Sequence, residues 1–178
     1  NRGGAGVLKD AYWETDGEHY SIPIRLKQGT GNGVQGGMTG LAGACWFFDP
    51  EDEALQRPGK LLPVDNSIYA NSTPIAGVLD PKTKAPDQQG EYYYFARQHV
   101  WQTRAGAASR YITNGGGGWG EPATRGPERV LADVRNEYVS IDAARNIYRV
   151  AITGDPSLDP EGLQIDATAT EKLRATSS

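Results

Sequence analysis

The stretch TNGGGGWGEPATRGPERV, Thr113 to Val130, places four consecutive glycines in front of a tryptophan, a proline and a helix start. A second segment, GTGNGVQGGMTGLAGA from Gly29 to Ala44, holds seven more glycines, too many for a helix or an ordinary strand. Ordering such segments costs more backbone entropy than ordering any other residue type, so neighbouring chain must clamp them. Two uses of the quartet are physically distinct. Its amides could cradle a phosphate, or its missing side chains could let backbones approach more closely than a Cβ allows.

The rest of the 178 residues narrows the choice of partner chemistry. The length suits one ordinary domain. Hydrophobic residues make up 38%, and four Trp, nine Tyr and three Phe supply large buried areas to compensate. A net charge of −4 with interspersed signs offers no basic surface for nucleic acid or an anionic membrane. The apolar run from Leu41 to Phe48 is far too short to span a bilayer. Cys45 is the only cysteine, which excludes an internal disulfide and any cysteine-based zinc or iron–sulfur site. The opening NRGGAGVLKD has no apolar h-region, so a cytoplasmic, reducing setting is the expectation.

Val7 to Trp13 and Tyr20 to Leu26 read as strands, joined by ETDGEH as a hairpin loop around Asp16-Gly17. Pro23 puts the second of them at a sheet edge. Leu61 to Val64, Ile75 to Leu79 and Tyr92 to Trp101 are further strands, the last aromatic enough to be buried. The character changes at Pro127, where Gly126 followed by Pro127-Glu128 starts a helix with Val130, Leu131, Val134 and Tyr138 on one face. Ser140 caps a second helix with Asp142 in its first turn and an apolar stripe of Ile141, Ala144 and Ile147. Asp166 caps a third that ends in Lys172-Leu173-Arg174. The predicted architecture is mainly β with glycine-rich polyproline-II-like segments and a small C-terminal helical tail. Residues 1–126 form the β-rich, glycine-rich body and 127–178 the helical tail of the same domain.

Candidate chemistry is sparse. A phosphate-binding loop needs a lysine and a hydroxyl directly after the glycines, with a helix opening there. Here Trp119, Gly120, Glu121 and Pro122 follow Gly115, Gly116, Gly117 and Gly118, and the helix waits until Pro127. The quartet therefore reads as an extended, polyproline-II-like strand built for close packing. His19 and His99 lie outside any ligand-spaced motif, and His99 among aromatics reads as a packed strand residue. Cys45 has no adjacent base to lower its pKa and reads as a small buried residue. Asp49, Glu51, Asp52 and Glu53 read as a solvated, proline-bounded loop, and Tyr92-Tyr93-Tyr94 as a core or interface face. No catalytic, cofactor-binding or metal-binding residue is expected on this chain. The residues singled out, Gly115 to Gly118, Trp119, Gly120 and Pro122, are structural.

This same stretch resembles the C-terminal end of the hydantoinase B family, which includes the B components of hydantoinases, half of ATP-dependent 5-oxoprolinases and subunits of acetone and acetophenone carboxylases. The matching positions are Gly115 to Gly118, Trp119, Gly120, Glu121, Pro122, Arg125, Pro127, Glu128, Val130, Asp133, Val134, Val139, Ser140 and Tyr148. Arg2 to Val7 is similar to the start of the family's last third, and Gln35 to Gly40 to its internal Gly-Gly segment. Departures fall at Asn114, where proline is common, at Gly126, where aspartate is, and at Glu137 and Arg149, where glycines are. The resemblance implies that the quartet packs in a bundle of polyproline-II-like strands. It implies that substrate and metal residues lie in a larger preceding region, and that ATP and a divalent metal sit on partner subunits of the hydantoinase A and B types in a hetero-oligomer. The expected function is a small, non-catalytic subunit of an ATP-dependent ketone carboxylase of the acetophenone or acetone type. The alternatives are a B-component segment of a cyclic amide hydrolase, or a stand-alone β-rich binding module using its tyrosine face.

Overall fold

In the sequence ACWFF every residue is apolar, and as strand β3 (Ala44–Phe48) all five are buried. Side chains alternate across a strand, so this one segment feeds two apolar layers. Trp46 and Phe48 face one layer with Tyr69, Leu55 and Leu79; Cys45 and Phe47 face the other with Ile75 and Ala107. The computed structural model describes residues 1–20, 26–55, 62–94 and 101–175. Its fold is mainly β with a few helices, the last of them near the C-terminus.

Two compact units are distinguished. One comprises Gly4–Asn32 and Thr39–Gly116. It contains β1 (Leu8–Tyr12), β2 (Gly17–His19), β3, β4 (Thr73–Leu79), β5 (Glu91–Tyr94), β6 (Trp101–Thr103) and β7 (Ala108–Ile112). Five of these form a sheet in the order β1-β7-β3-β4-β5, and β2 pairs with β6. Every pairing is antiparallel. Trp46 packs on Tyr69 with ring centroids 4.3 Å apart and donates its indole N–H to the Lys84 carbonyl at 2.9 Å. Burying each such side chain contributes about 1.5–3 kcal/mol.

Several local readings differ from this arrangement. ETDGEH is not loop throughout: its last three residues form β2, which pairs with β6, while residues 21–25 of the expected partner strand lie outside the described residues. Asp16 instead accepts a hydrogen bond from the Ala105 amide at 2.8 Å, in the loop joining β6 to β7. Leu62 to Val64 is irregular rather than a strand and leads into a 3-10 turn, Asn66–Asn71, capped by Asp65. The aromatic strand is not buried along its length: β5 is at the sheet edge, with Tyr92 and Tyr94 stacked and exposed. Residues 95–100, and 21–25 of the Tyr20 to Leu26 strand with Pro23, lie outside the described residues.

The other unit comprises Asn1–Gly3, Gly33–Met38 and Gly117–Ser178. Its helices start where local chemistry directs. Helix α1 (Pro127–Arg135) has proline at its first position, and Ser140 accepts from the Ala143 amide to cap α2 (Ile141–Asn146). Asp166 accepts from the Ala169 amide at 2.9 Å to cap α3 (Ala167–Ala175). Val130, Leu131 and Val134 of α1 are buried with Val139, Ala144, Val150 and Leu163. A short pair, β8 (Ile152–Thr153) with β9 (Gln164–Ile165), closes this core and was not apparent from the sequence. Tyr138 leaves the expected apolar face: it is exposed, with the Arg2 guanidinium 4.3 Å above its ring.

Candidate functional site

The quartet is divided between the units after Gly116, and the amides of Gly115, Gly116 and Gly118 are already engaged. In the first unit, Gly115 donates to the Leu41 carbonyl at 3.0 Å and Gly116 to that of Gly4 at 2.9 Å. In the second, Gly118 donates to Met38 at 2.9 Å, Trp119 to Asn1 at 2.8 Å and Gly120 to Val34 at 2.9 Å. A phosphate cradle requires converging, unengaged N–H groups. Five donors bound to carbonyls cannot provide one, and Glu121 adds a negative charge beside them.

The close approach itself comes mainly from the facing chain. A Cβ on Gly40 would stand 2.6 Å from the Gly115 carbonyl carbon and closer still to its oxygen. A Cβ on Gly37 would stand 2.9 Å from the Trp119 nitrogen and closer to the Gly118 carbonyl. On the quartet the room is greater: 3.4 Å at Gly115, 3.0 Å at Gly116 and 3.2 Å at Gly118. Gly117 is half-buried. Gln35 and Gly36, both at positive φ (51° and 85°), form a type I′ turn closed by Gly37 donating to Val34. The exposed Trp119 ring is tied to that turn by its indole N–H, 2.7 Å from the Gln35 side-chain oxygen. Pro122 opens a 3-10 turn, Pro122–Thr124, after Gly120 at φ 80°.

Beyond the turn, Arg125 and Asp133 meet. Asp133, almost buried, accepts from Arg125 at 2.8 Å and from Arg2 at 3.3 Å, and the Arg125 carbonyl accepts from Arg174 at 2.7 Å. Asp133 thus ties the N-terminal segment and the turn before α1 to that helix, and α3 reaches the same turn through Arg174. The positions at which this chain departs from the family pattern also acquire a physical account. Gly126 is the N-cap of α1 and supplies no side-chain cap bond. Glu137 and Arg149 both have left-handed backbone, φ 60° and 56°, just past the ends of α1 and α2. At the first, the Tyr138 and Glu137 amides donate to Asp133 and Val134, the two bonds of a Schellman cap. Asn114 accepts from the Gly43 amide at 2.5 Å and donates to Thr30 at 3.1 Å.

Among the described residues, the remaining candidate side chains do not assemble into a reactive group. His19 stands edge-on to Trp13 with centroids 4.7 Å apart, and burial holds its imidazole below the usual pKa. His99 lies outside the described residues. Cys45 is buried, and desolvation pushes its thiol up to about 12, so it is protonated near neutral pH. Glu51 forms a two-pronged pair with Arg104 at 2.7 and 2.6 Å, which lowers its pKa. Both partners are exposed, so the pair contributes little stability. Asp52 accepts from the Ala54 amide at 3.0 Å. Among the described residues no cluster of His, Cys, Asp and Glu could hold a metal ion, and no helix is long and apolar enough to cross a membrane.

One charged residue escaped the sequence reading. Arg110 on β7 is fully buried, sandwiched by register between Asp10 on β1 and Trp46 on β3. It binds Asp10 through two bonds of 2.7 and 2.8 Å and donates to the Pro63 and Leu62 carbonyls. Burial opposes its charge, but the bonds to Asp10 and Tyr69 outweigh that and raise its pKa. The available signal was parity: Arg110 and Asp10 fall on the same side of their strands as the core residue Ala108 and its partner Tyr12.

The comparisons with known proteins bear on this geometry. The chain is 31% identical over 150 residues, 79% of its length, to caprolactamase subunit β of Pseudomonas jessenii. The chain is homologous to that part of the subunit. It spans about a quarter of the length of that relative. A solved nucleotide-free acetone carboxylase shares the fold, with a TM-score of 0.52 at 18% identity over 81% of this chain and 18% of its own. The solved ATP-dependent caprolactamase of Pseudomonas jessenii aligns at 27% identity over 88% of this chain and 25% of its own, with a TM-score of 0.41. No family model matches the chain.

Proposed function

We propose that this chain acts as a structural, non-catalytic B-type part of an ATP-dependent assembly that hydrolyses a cyclic amide. The observation that carries this reading is the 31% identity with a protein whose name makes it the β subunit of a caprolactamase. The chemistry of the chain is consistent with it. Three of the four quartet amides are bound to backbone carbonyls, the thiol is protonated, and the charged pairs lock chain segments together. In this proposal the glycine-rich segments run as polyproline-II-like strands. Gly115 to Gly118, Trp119, Gly120 and Pro122 hold the part in shape for assembly, while ATP and a divalent metal are bound by larger A-type and B-type partners.

The fold shared with acetone carboxylase favours a second reading, a subunit of a ketone carboxylase. A pull-down with the tagged chain, followed by assay of the recovered assembly, separates the two. ATP consumption that depends on a lactam supports the first reading, and consumption that depends on a ketone and bicarbonate supports the second. Recovery of no A-type or B-type partner refutes both.

A further inference from the structure

The sheet face opposite the Trp46 core carries a cavity of about 240 Å³ that neither the assembly role nor the glycine packing uses. Its floor follows from strand register. Lys9, Tyr111 and Cys45 lie side by side across β1, β7 and β3, and Ala11, Ser109 and Phe47 form the next row. Ile75 extends this floor onto β4, and His19 also lines the cavity. Half of the lining is therefore compact and apolar. The other half brings an ammonium, two hydroxyls and an imidazole that burial keeps neutral at neutral pH.

Two features define what such a cavity accepts. First, among the described residues no carboxylate lines it. Second, among the described residues, no carboxylate pairs with Lys9, and no hydrogen bond is made by the Ser109 or Tyr111 hydroxyl. Polar groups that reach an apolar cavity without protein partners bind water or a ligand, and an unpaired ammonium beside low-dielectric walls favours an anion. The volume is below the range of drug-sized sites. We infer that this cavity is a binding site for a small monocarboxylate with a short aliphatic body. The carboxylate meets Lys9, Ser109 and Tyr111, and the body lies on Phe47, Ile75 and Cys45.

The test is a titration of the isotope-labelled full chain, within its assembly if that is how it is isolated, with hexanoate, and with hexanamide as the neutral isostere. Saturable shifts confined to the Ala11, Ser109 and Tyr111 region, with hexanoate preferred over hexanamide by about tenfold, are expected from one charge-assisted contact. Lys9→Gln, an exposed edge-strand change that leaves the core alone, abolishes that preference. Ala11→Phe fills the floor and abolishes binding of both compounds. Absence of saturable binding, shifts mapping elsewhere, or a Lys9→Gln chain that still prefers the anion overturns the inference.

Discussion

Replacing Gly40 with alanine tests the packing account at its tightest point. The new methyl carbon would stand 2.6 Å from the Gly115 carbonyl carbon and 2.9 Å from the Gly116 oxygen. Relaxed carbon contacts need about 3.5–4.0 Å, so one backbone must retreat by roughly 1 Å. That displacement stretches the bonds made by Gly40 to Gly31 (2.8 Å) and by Gly115 to Leu41 (3.0 Å) beyond useful length. Overpacking costs about 1–3 kcal/mol and each lost backbone bond about 1, so the expected loss is roughly 3–5 kcal/mol. Gly4→Ala is the control. Gly4 accepts the Gly116 bond on the same packed segment, yet a Cβ there meets nothing within 4 Å. Its effect should stay within about 0.5 kcal/mol. Urea unfolding at constant m-value reads both. If the two variants differ by less than about 1 kcal/mol, the close approach of Gly40 and Gly115 does not support the fold.

Three further outcomes follow from named contacts. Asp10→Ala strands the fully buried Arg110 guanidinium and should cost about 3 kcal/mol, the lower end for a broken buried pair because Asp10 keeps 17% exposure; adding Arg110→Met should restore part of it in the same unfolding assay. Glu137→Gly and Arg149→Gly each relieve left-handed backbone and should raise the unfolding free energy by about 1 kcal/mol, and a loss of stability would mean that their side chains make contacts that matter. The Cys45 thiol is raised from 9.0 to about 12 on folding, so its contribution is intact below pH 9 and is lost progressively between pH 9 and 12 as the unfolded thiol ionises first. Cys45→Ala should flatten that part of the stability profile, and an unchanged slope would refute the shift.

The helix ends were legible in the sequence because the interactions that set them span at most a few residues. Pro127 at the first position, Ser140 bonding Ala143 and Asp166 bonding Ala169 are each complete within one turn. The glycine density likewise already required that other chain clamp those segments, although the uniformly apolar ACWFF was not read as a strand. Tertiary structure alone decided which chain did so. Gly40 and Gly115 are separated by 75 residues, Asp10 and Arg110 by 100, and nothing in either neighbourhood names its partner. For the same reason neither the sheet order β1-β7-β3-β4-β5 nor the pairing of Gly17–His19, inside the expected loop, with β6 could be read. Long-range contacts are selected by the combined burial of faces that no short window contains.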